Sequence, residues 1–393
     1  MRQNVVSIVK GPQGPAEQEI DSMVRRAIEL VGGLSGIAGP GDTVLIKPNL
    51  ILAKSPDTGA VTDPRVCKSV ANLVKELGAR PIIAESSAVG IDTEQAFQVA
   101  GYDRLRGEGY EVIDLKKEET VTVPLPKGKS LKEVSFPRVV VEAKAIISVP
   151  SMKTHDQPPV TLSLKNMKGV LPDTFKRKFH TTFGIFQGVA DLCTAFKPAL
   201  AVVDGIIAME GLGPIFGEPV EMDLIIAGRD PVAVDAVTAT IMGVEPGEDG
   251  TISAATKSRI GISDLSKLQL VGEPIANVQR RFKLAVEAIY ETVPLPKGFE
   301  LLLAEKACTG CRNTVLSVLV DLKEQNQLDR AAGWCVIAGK IDKVPEVERD
   351  YLLLAGNCTA RFKRRGVFVP GCPPNNRDIA GGILREEQEA RWA

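Results

Sequence analysis

The chain has 393 residues, with Lys plus Arg at 48, Asp plus Glu at 49 and a formal net charge of −1. That length predicts two to three domains of about 150 residues each, and so even a balance of charge argues against a binder of phosphate backbones, so no nucleic-acid partner is expected. Apolar content of 44% and charged content of 25% are those of a folded globular protein and exclude disordered, collagen-like and coiled-coil classes.

The run Val5 to Val9 is too short and too strand-like for the core of a signal peptide. No segment approaches about 18 consecutive apolar residues, so no membrane span is expected. The expected location is cytoplasmic, where thiols stay reduced.

Strand-like and helix-like pieces then alternate over the first 270 or so residues. Thr43 to Ile46 is a β-rich run that ends at Lys47-Pro48-Asn49. Asp63-Pro64 starts a helix that runs to Leu77 and stops at Gly78. Pro81 to Ala84 is a buried strand ending at Glu85, Asp92 caps a helix toward Ala100, and Val112-Ile113 is the next strand. Glu118 to Phe136 breaks the rhythm with alternating Val121, Val123 and Leu125, which predicts a β-hairpin. Ala143 to Val149, Ala199 to Val203 and Leu224 to Ala227 are further apolar strands, and Asp230-Pro231 opens a helix through Met242. Continuously apolar strands separated by helices predict a mostly parallel sheet covered on both faces.

From Val271 to Lys297 the pattern weakens, and residues 273–298 are expected to be a linker. The α/β rhythm then resumes on a smaller scale: strands at Leu301 to Leu303, Val336 to Ala338, Tyr351 to Leu354 and Val367 to Val369, with a helix from Asn313 to Gln325. The expected fold is α/β throughout, with a large domain over 1–272 and a small Cys-rich α/β domain over 299–393.

Five of the seven cysteines fall at or after position 308. Cys308 and Cys311 form one CxxC between a strand end and a helix start. Cys358 and Cys372 each follow an apolar strand and a turn. In a parallel sheet these connections share the C-terminal edge, where ligand sites gather. Cys335 begins a strand and belongs at the other edge, as a reserve ligand. Four thiolates suit an iron–sulfur cluster, of 4Fe–4S type here, or zinc. The single CxxC and the Pro after Cys372 favour the cluster. A thioredoxin-like dithiol would not need the other two cysteines, and buried cysteines acting as small hydrophobes are the plain alternative. Cys67 and Cys193 lie on apolar helices and are expected in the core. The cations Arg361, Lys363, Arg364 and Arg365 are a solvated face, or else a dock for an acidic electron-transfer partner.

A second constellation lies just beyond the strand ends of the large domain. Lys47, Asn49, Lys165, Asn166, Asp204 and Glu210 are candidate substrate-binding residues, and His155 with Lys153 is the candidate catalytic pair. A His is the usual general base near neutral pH, and a neighbouring Lys can hold an anionic group. A hydrogen-bonded loop histidine is the competing account of His155, and Lys165 and Lys168 at a helix end also complement the helix dipole. His180, in a basic stretch, is expected at the surface. The glycine-rich loop Glu210 to Pro214 lacks a full nucleotide-binding pattern.

These residues occur in a recognisable order. Lys47-Pro48-Asn49, Thr62-Asp63-Pro64, Lys153-x-His155 and Thr161-x-Ser163-Leu164-Lys165-Asn166-x-x-Gly169 come first. Val203-Asp204-Gly205, Glu210-Gly211-x-Gly213-Pro214 and Asp230-Pro231-x-Ala233-Val234-Asp235 follow. Over residues 40 to 245 the chain resembles the prokaryotic domain-of-unknown-function family 362. The resemblance implies an association with iron–sulfur clusters. It does not imply the ferredoxin-like appendage frequent in that family, because C-x₂-C-x₂-C-x₃-C is absent here.

The expected function is an iron–sulfur redox protein, a reductase or redox-linked enzyme acting on an anionic small molecule or cofactor. A non-catalytic electron carrier or cluster-delivery protein serving a redox partner is one alternative. An isomerase or lyase with a structural zinc is the other.

Overall fold

A computed structural model describes residues 4–304 and 309–385. The large sheet contains β1 (Val5–Lys10), β2 (Thr43–Pro48), β3 (Arg80–Glu85) and β4 (Glu111–Asp114). A separate hairpin pairs β5 (Thr120–Pro124) with β6 (Glu133–Pro137). The large sheet continues with β7 (Ala145–Val149), β8 (Ser151–Thr154), β9 (Val160–Thr161), β10 (Leu200–Glu210), β11 (Glu218–Gly228) and β12 (Gln269–Gly272). Its order is β12-β1-β11-β10-β7-β2-β3-β4, with β8 on β10 and β9 on β8. The run from β10 to β4 is parallel, as the apolar strands predict, and β11 lies antiparallel between β10 and β1.

Each strand of the parallel run is apolar on both faces because each face carries its own core. Val44 and Ile46 pack with the helices Glu17–Leu30 and Pro64–Glu76, through Ile20, Val24, Val66 and Val70. Leu45 points the other way, toward the helices Ile185–Ala195 and Pro231–Ile241, through Val189, Leu192, Val234 and Val237. The helix starts at Asp63, Asp92 and Asp230 are all capped by their own side chains, as their Asx-led sequences imply. The helix Glu17–Leu30 is a further element beyond those expected from the sequence.

Pro150 does not end its strand. It lacks an amide and so makes no ladder donation, yet its carbonyl accepts from Asp204 N at 2.8 Å, and the chain resumes in β8 beside β10. The Ser151–Thr154 stretch is therefore a short interior strand, not an open loop, and this places Lys153 inside the protein.

Residues 273–298, expected as a linker, hold the helices Ile275–Val278 and Ala285–Thr292. Phe282 is buried in the large core, and Ile289 and Val293 join the small one.

The small unit is a parallel sheet of β13 (Glu300–Leu303), β14 (Cys335–Ala338), β15 (Leu352–Ala355) and β16 (Val367–Val369), in that order. The helices Thr309–Glu324 and Asn376–Leu384 supply Val315, Leu319, Ile379 and Ile383 to the core on one face. Cys335 sits in a smaller cluster on the other face with Ile337, Leu352 and Leu354. Among the described residues no helix is long and apolar enough to cross a membrane.

Candidate functional site between the large and small sheets

The polar residues at the strand ends of the large sheet first build a scaffold. Lys47, at the end of β2, is fully buried, and its Nζ donates to Glu85 Oε2 at 2.7 Å, to Pro48 O at 2.6 Å and to Asn166 Oδ1 at 3.3 Å. Burial lowers its pKa, opposed by Glu85. Asn166 donates back to Lys47 O at 2.8 Å and to Ser148 Oγ at 3.1 Å. Gly169 completes the arrangement, for a Cβ there would lie 2.5 Å from Glu85 Oε1 and 2.6 Å from Lys47 Nζ. Lys47 and Asn166 are thus locked into the frame by these bonds.

Lys153 is enclosed in the same way. Its Nζ donates to Asn49 Oδ1 at 2.6 Å, to Ala60 O at 2.5 Å and to Pro214 O at 3.4 Å. Burial pushes its pKa well down, with the charge of Lys165 adding to the shift. It pins β8, the Asn49–Ala60 segment and the glycine-rich loop together. Glu210 accepts from Lys283 N at 3.0 Å and Arg280 Nη2 at 2.7 Å, which ties the end of β10 to the segment before the Ala285–Thr292 helix. Asp204 accepts from Asp63 N at 2.7 Å, and burial together with the charge of Asp63 raises its pKa to about 7.

Four interacting groups gather around Asp156, which bonds Ser317 of the small unit: His155, Asp156, Lys165 and Lys168. His155 Nδ1 lies 2.6 Å from Asp156 Oδ1 and 2.9 Å from the amide of Gln157. The amide needs a lone pair on that nitrogen, and the carboxylate needs a proton there, so one neutral tautomer cannot serve both. Burial, with the charge of Lys165, lowers the His155 pKa to about 4. The Asp156 carboxyl is held at about 2, because the attraction of His155 and Lys165 outweighs burial. Lys165 falls to about 8: burial lowers it, and Asp156 and Asp249 oppose that. Lys168 is pushed well down by burial and by Lys165, and lies 5.9 Å from the Phe179 ring centre. Lys165 acts on every other member, so it is the electrostatic centre of the group.

The thiols arrive from the other side. Cys311 is buried in the first turn of Thr309–Glu324, while Cys358 and Cys372 are exposed after β15 and β16. All three occupy the C-terminal edge of the small sheet, as its parallel order requires. Cys308 lies outside the described residues. Gly356 has φ +85°, and a Cβ on it would come 2.7 Å from Cys311 Sγ and 3.3 Å from Gly371 O. The loops are therefore shaped around the sulfur of Cys311 and the backbone before Cys372. Among the described residues no three His, Cys, Asp or Glu side chains converge as metal ligands. Cys335 stands at the start of β14, the opposite edge. Cys67 and Cys193 are core residues whose thiols burial pushes up, to about 12 for Cys193.

The two sides meet. Ile185 N donates to Cys372 O at 3.0 Å, Gly184 lies against Cys372, and Asp156 bonds Ser317 of the Thr309–Glu324 helix. The basic run after Cys358 leads away from this cleft. Gly366 lies against Leu352, the first residue of β15, so Arg364 and Arg365 reach the far edge of the sheet.

The model of a domain of unknown function, DUF362, matches residues 44–240. The chain belongs to the DUF362 family. A thylakoid-associated protein, sll1697 of Synechocystis sp. (strain ATCC 27184 / PCC 6803 / Kazusa), is a distant homologue at 28% identity over 263 residues, 66% of this chain and 80% of that protein. Among solved structures, the lactate racemase apoprotein from Thermoanaerobacterium thermosaccharolyticum aligns over 98% of this chain and 91% of that one, at 12% identity and a TM-score of 0.38.

The DUF362 match covers the scaffold, His155 and the cleft lysines, and ends before the small sheet. Several residues of the DUF362 core gain roles that sequence reading does not supply. Asp235 accepts from Ser163 N and Leu164 N, both at 2.9 Å, and from the Ser163 hydroxyl, so it fixes the turn that presents Lys165. Its signal was visible as the one charged residue in the apolar run Val232–Ile241. Asp63, Arg65, Arg104 and Asp204 line a cavity of about 400 Å³ on the face of the sheet that also carries Val202 and Ile206. No local pattern connects those four, since three separate segments supply them.

Proposed function

We propose that this DUF362 protein is an iron–sulfur redox enzyme, a reductase or redox-linked catalyst, acting on an anionic small molecule or cofactor between its two sheets. The observation that carries the reading is the contact of Cys372 with Gly184–Ile185, because it brings the thiol edge against the unit that holds Lys165 and His155. Cys308, Cys311, Cys358 and Cys372 would hold the cluster, which when bound supplies one-electron transfer. The glycine cradle around Cys311 supports that assignment.

Lys165 gives the cleft its positive charge, and Lys168 beside it offers a further hydrogen-bond donor, so together they favour a carboxylate or phosphate group. Proton transfer at neutral pH is best served by a group whose pKa lies nearby. Lys165, at about 8, meets that condition better than His155, at about 4. His155 then acts as a neutral imidazole that orients a ligand by hydrogen bonding.

Anaerobic purification with iron and sulfide analysis and an EPR spectrum tests the proposal. Iron and sulfide in the native chain, lost in Cys311→Ser and kept in Cys335→Ser, is the expected result. A colourless, iron-free protein would overturn it, and zinc in place of iron would restore the isomerase or lyase reading.

A further inference from the structure

Lys165 also borders a second, much smaller space. A cavity of about 10 Å³ is lined by Lys165, Asp235, Asp249 and Thr251 together with Val160, Leu162 and Ile252. Asp249 is 1% exposed and Thr251 is 4% exposed. Asp249 caps the Gly250–Lys257 helix through Oδ1, which accepts from Thr251 N at 2.8 Å and Ile252 N at 3.1 Å. The Val160 amide also acts on this carboxylate, yet its other oxygen, Oδ2, is left without a well-formed hydrogen bond among the described residues, and so is Thr251 Oγ1. Native proteins rarely leave such buried oxygens unpaired. A space of this size, with polar groups converging on it, holds one water and nothing larger.

The lining groups match what a water needs. Asp249 Oδ2 accepts, the Thr251 hydroxyl accepts or donates, and Lys165 donates as an ammonium and accepts as an amine. Asp235 spends its oxygens on Ser163 and Leu164, so it closes the cavity without competing for the water.

We propose that one internal water occupies this cavity, bridges Lys165 Nζ to Asp249 Oδ2 and Thr251 Oγ1, and passes protons between Lys165 and the Asp249 carboxyl. From the facing charges, the Lys165 ammonium gives a proton to the water, which gives one to the Asp249 carboxylate, and the Lys165 amine so formed takes a proton from the cleft. In the reverse direction the ammonium returns that proton to the cleft, and the Asp249 carboxylic acid reprotonates the amine through the water, with no oxidant or reductant. Burial raises the Asp249 pKa and lowers that of Lys165, which draws the two ends of the relay together. Asp156, His155, Lys153 and Lys168 are the other charged or titratable groups that act on or are acted on by Lys165. The delivery of the proton to a ligand rests on the cleft reading above, whereas the water does not.

The test is a high-resolution crystal structure of the full chain, with thermal unfolding of Thr251→Val and NMR titration of the Lys165 amine in the native chain and in Asp249→Asn. The expected density is a single water at about 2.7–3.2 Å from the three polar atoms. Thr251→Val then deprives that water of a partner and lowers the unfolding midpoint by about 2–4 °C. Asp249→Asn removes the facing anion and lowers the Lys165 pKa further. A dry cavity, with Thr251→Val raising the midpoint because an unpaired hydroxyl is gone, would overturn the proposal. So would density with contacts near 2.4 Å, which marks a metal ion. Failure of sulfate and simple carboxylates to bind at Lys165 would sink the cleft reading while the crystallographic water stood.

Discussion

Lys47 and Glu85 form an ion pair at 2.7 Å, with side chains 0% and 2% exposed, at the C-terminal ends of neighbouring strands β2 and β3. Leu50 N and Ser86 N also donate to the Glu85 carboxylate, so the pair organises both loops that leave those strands. A buried pair of this kind gives little net stability, but removing one partner strands the other charge at a cost of roughly 3–5 kcal/mol. Lys47→Met is therefore expected to lower stability by that order, measured by urea unfolding. The double change with Glu85→Gln should recover part of the loss. A single change no larger than a surface mutation would mean that the carboxylate finds another partner.

Asp191 holds the β5–β6 hairpin to the body. Its Oδ2 accepts from Lys129 N at 2.9 Å, Ser130 N at 2.7 Å and Leu131 N at 2.9 Å. Burial raises its pKa, and those amides with the Gln187 amide more than reverse that, so the carboxyl stays below its usual range. A depressed folded pKa means that the contribution is present above the unfolded value near 3.8 and is lost as pH falls through the folded value. Asp191→Ala is expected to cost about 2–3 kcal/mol and to raise amide hydrogen exchange in Leu125–Lys132 above all. Exchange that stays as slow as in the native chain would count against this anchoring role.

His155 is expected to remain neutral throughout the physiological range. Its folded pKa, about 4, lies below the unfolded value of 6.5, so its contribution is present above pH 6.5 and is lost as pH falls toward 4. NMR of the imidazole should show no protonation at pH 6. Stability measured across pH 6.5 to 4 should fall less steeply in His155→Gln. A titration midpoint near 6.5 would place the ring in solvent.

Gly356 needs its left-handed backbone, φ +85°, and its missing side chain, since a Cβ would meet Cys311 Sγ at 2.7 Å. Gly333 shares the conformation, φ +75°, but faces open space. Gly333→Ala should cost about 1 kcal/mol from the backbone alone. Gly356→Ala should cost more and displace Cys311, which any metal bound at that edge would report as lost affinity. Equal effects of the two changes would show that the sulfur has room to move.

Much of the architecture is readable from one dimension. Strands such as Thr43–Pro48 and Ala145–Val149 are apolar at every step, which only a sheet covered on both faces accommodates. The Asx-Pro starts at Asp63 and Asp230 and the glycine stop at Gly78 act within a few residues, so local sequence suffices for them. The same logic put Cys311, Cys358 and Cys372 on one edge and Cys335 on the other, because parallel strands send all their exits the same way.

What tertiary structure alone decided is which polar residues are enclosed by the frame and which stay partly exposed. Lys47, Lys153 and Lys165 look alike in sequence, each a cation past a strand or helix. Two of them are sealed against carbonyls and a carboxylate from segments 38 to 119 residues away, and such partners leave no local trace. The third stays partly exposed, and Asp235, on a distant helix, holds the turn that carries it. Burial and charge pairing are long-range quantities, so a chain can announce its lysines while only its fold assigns them work.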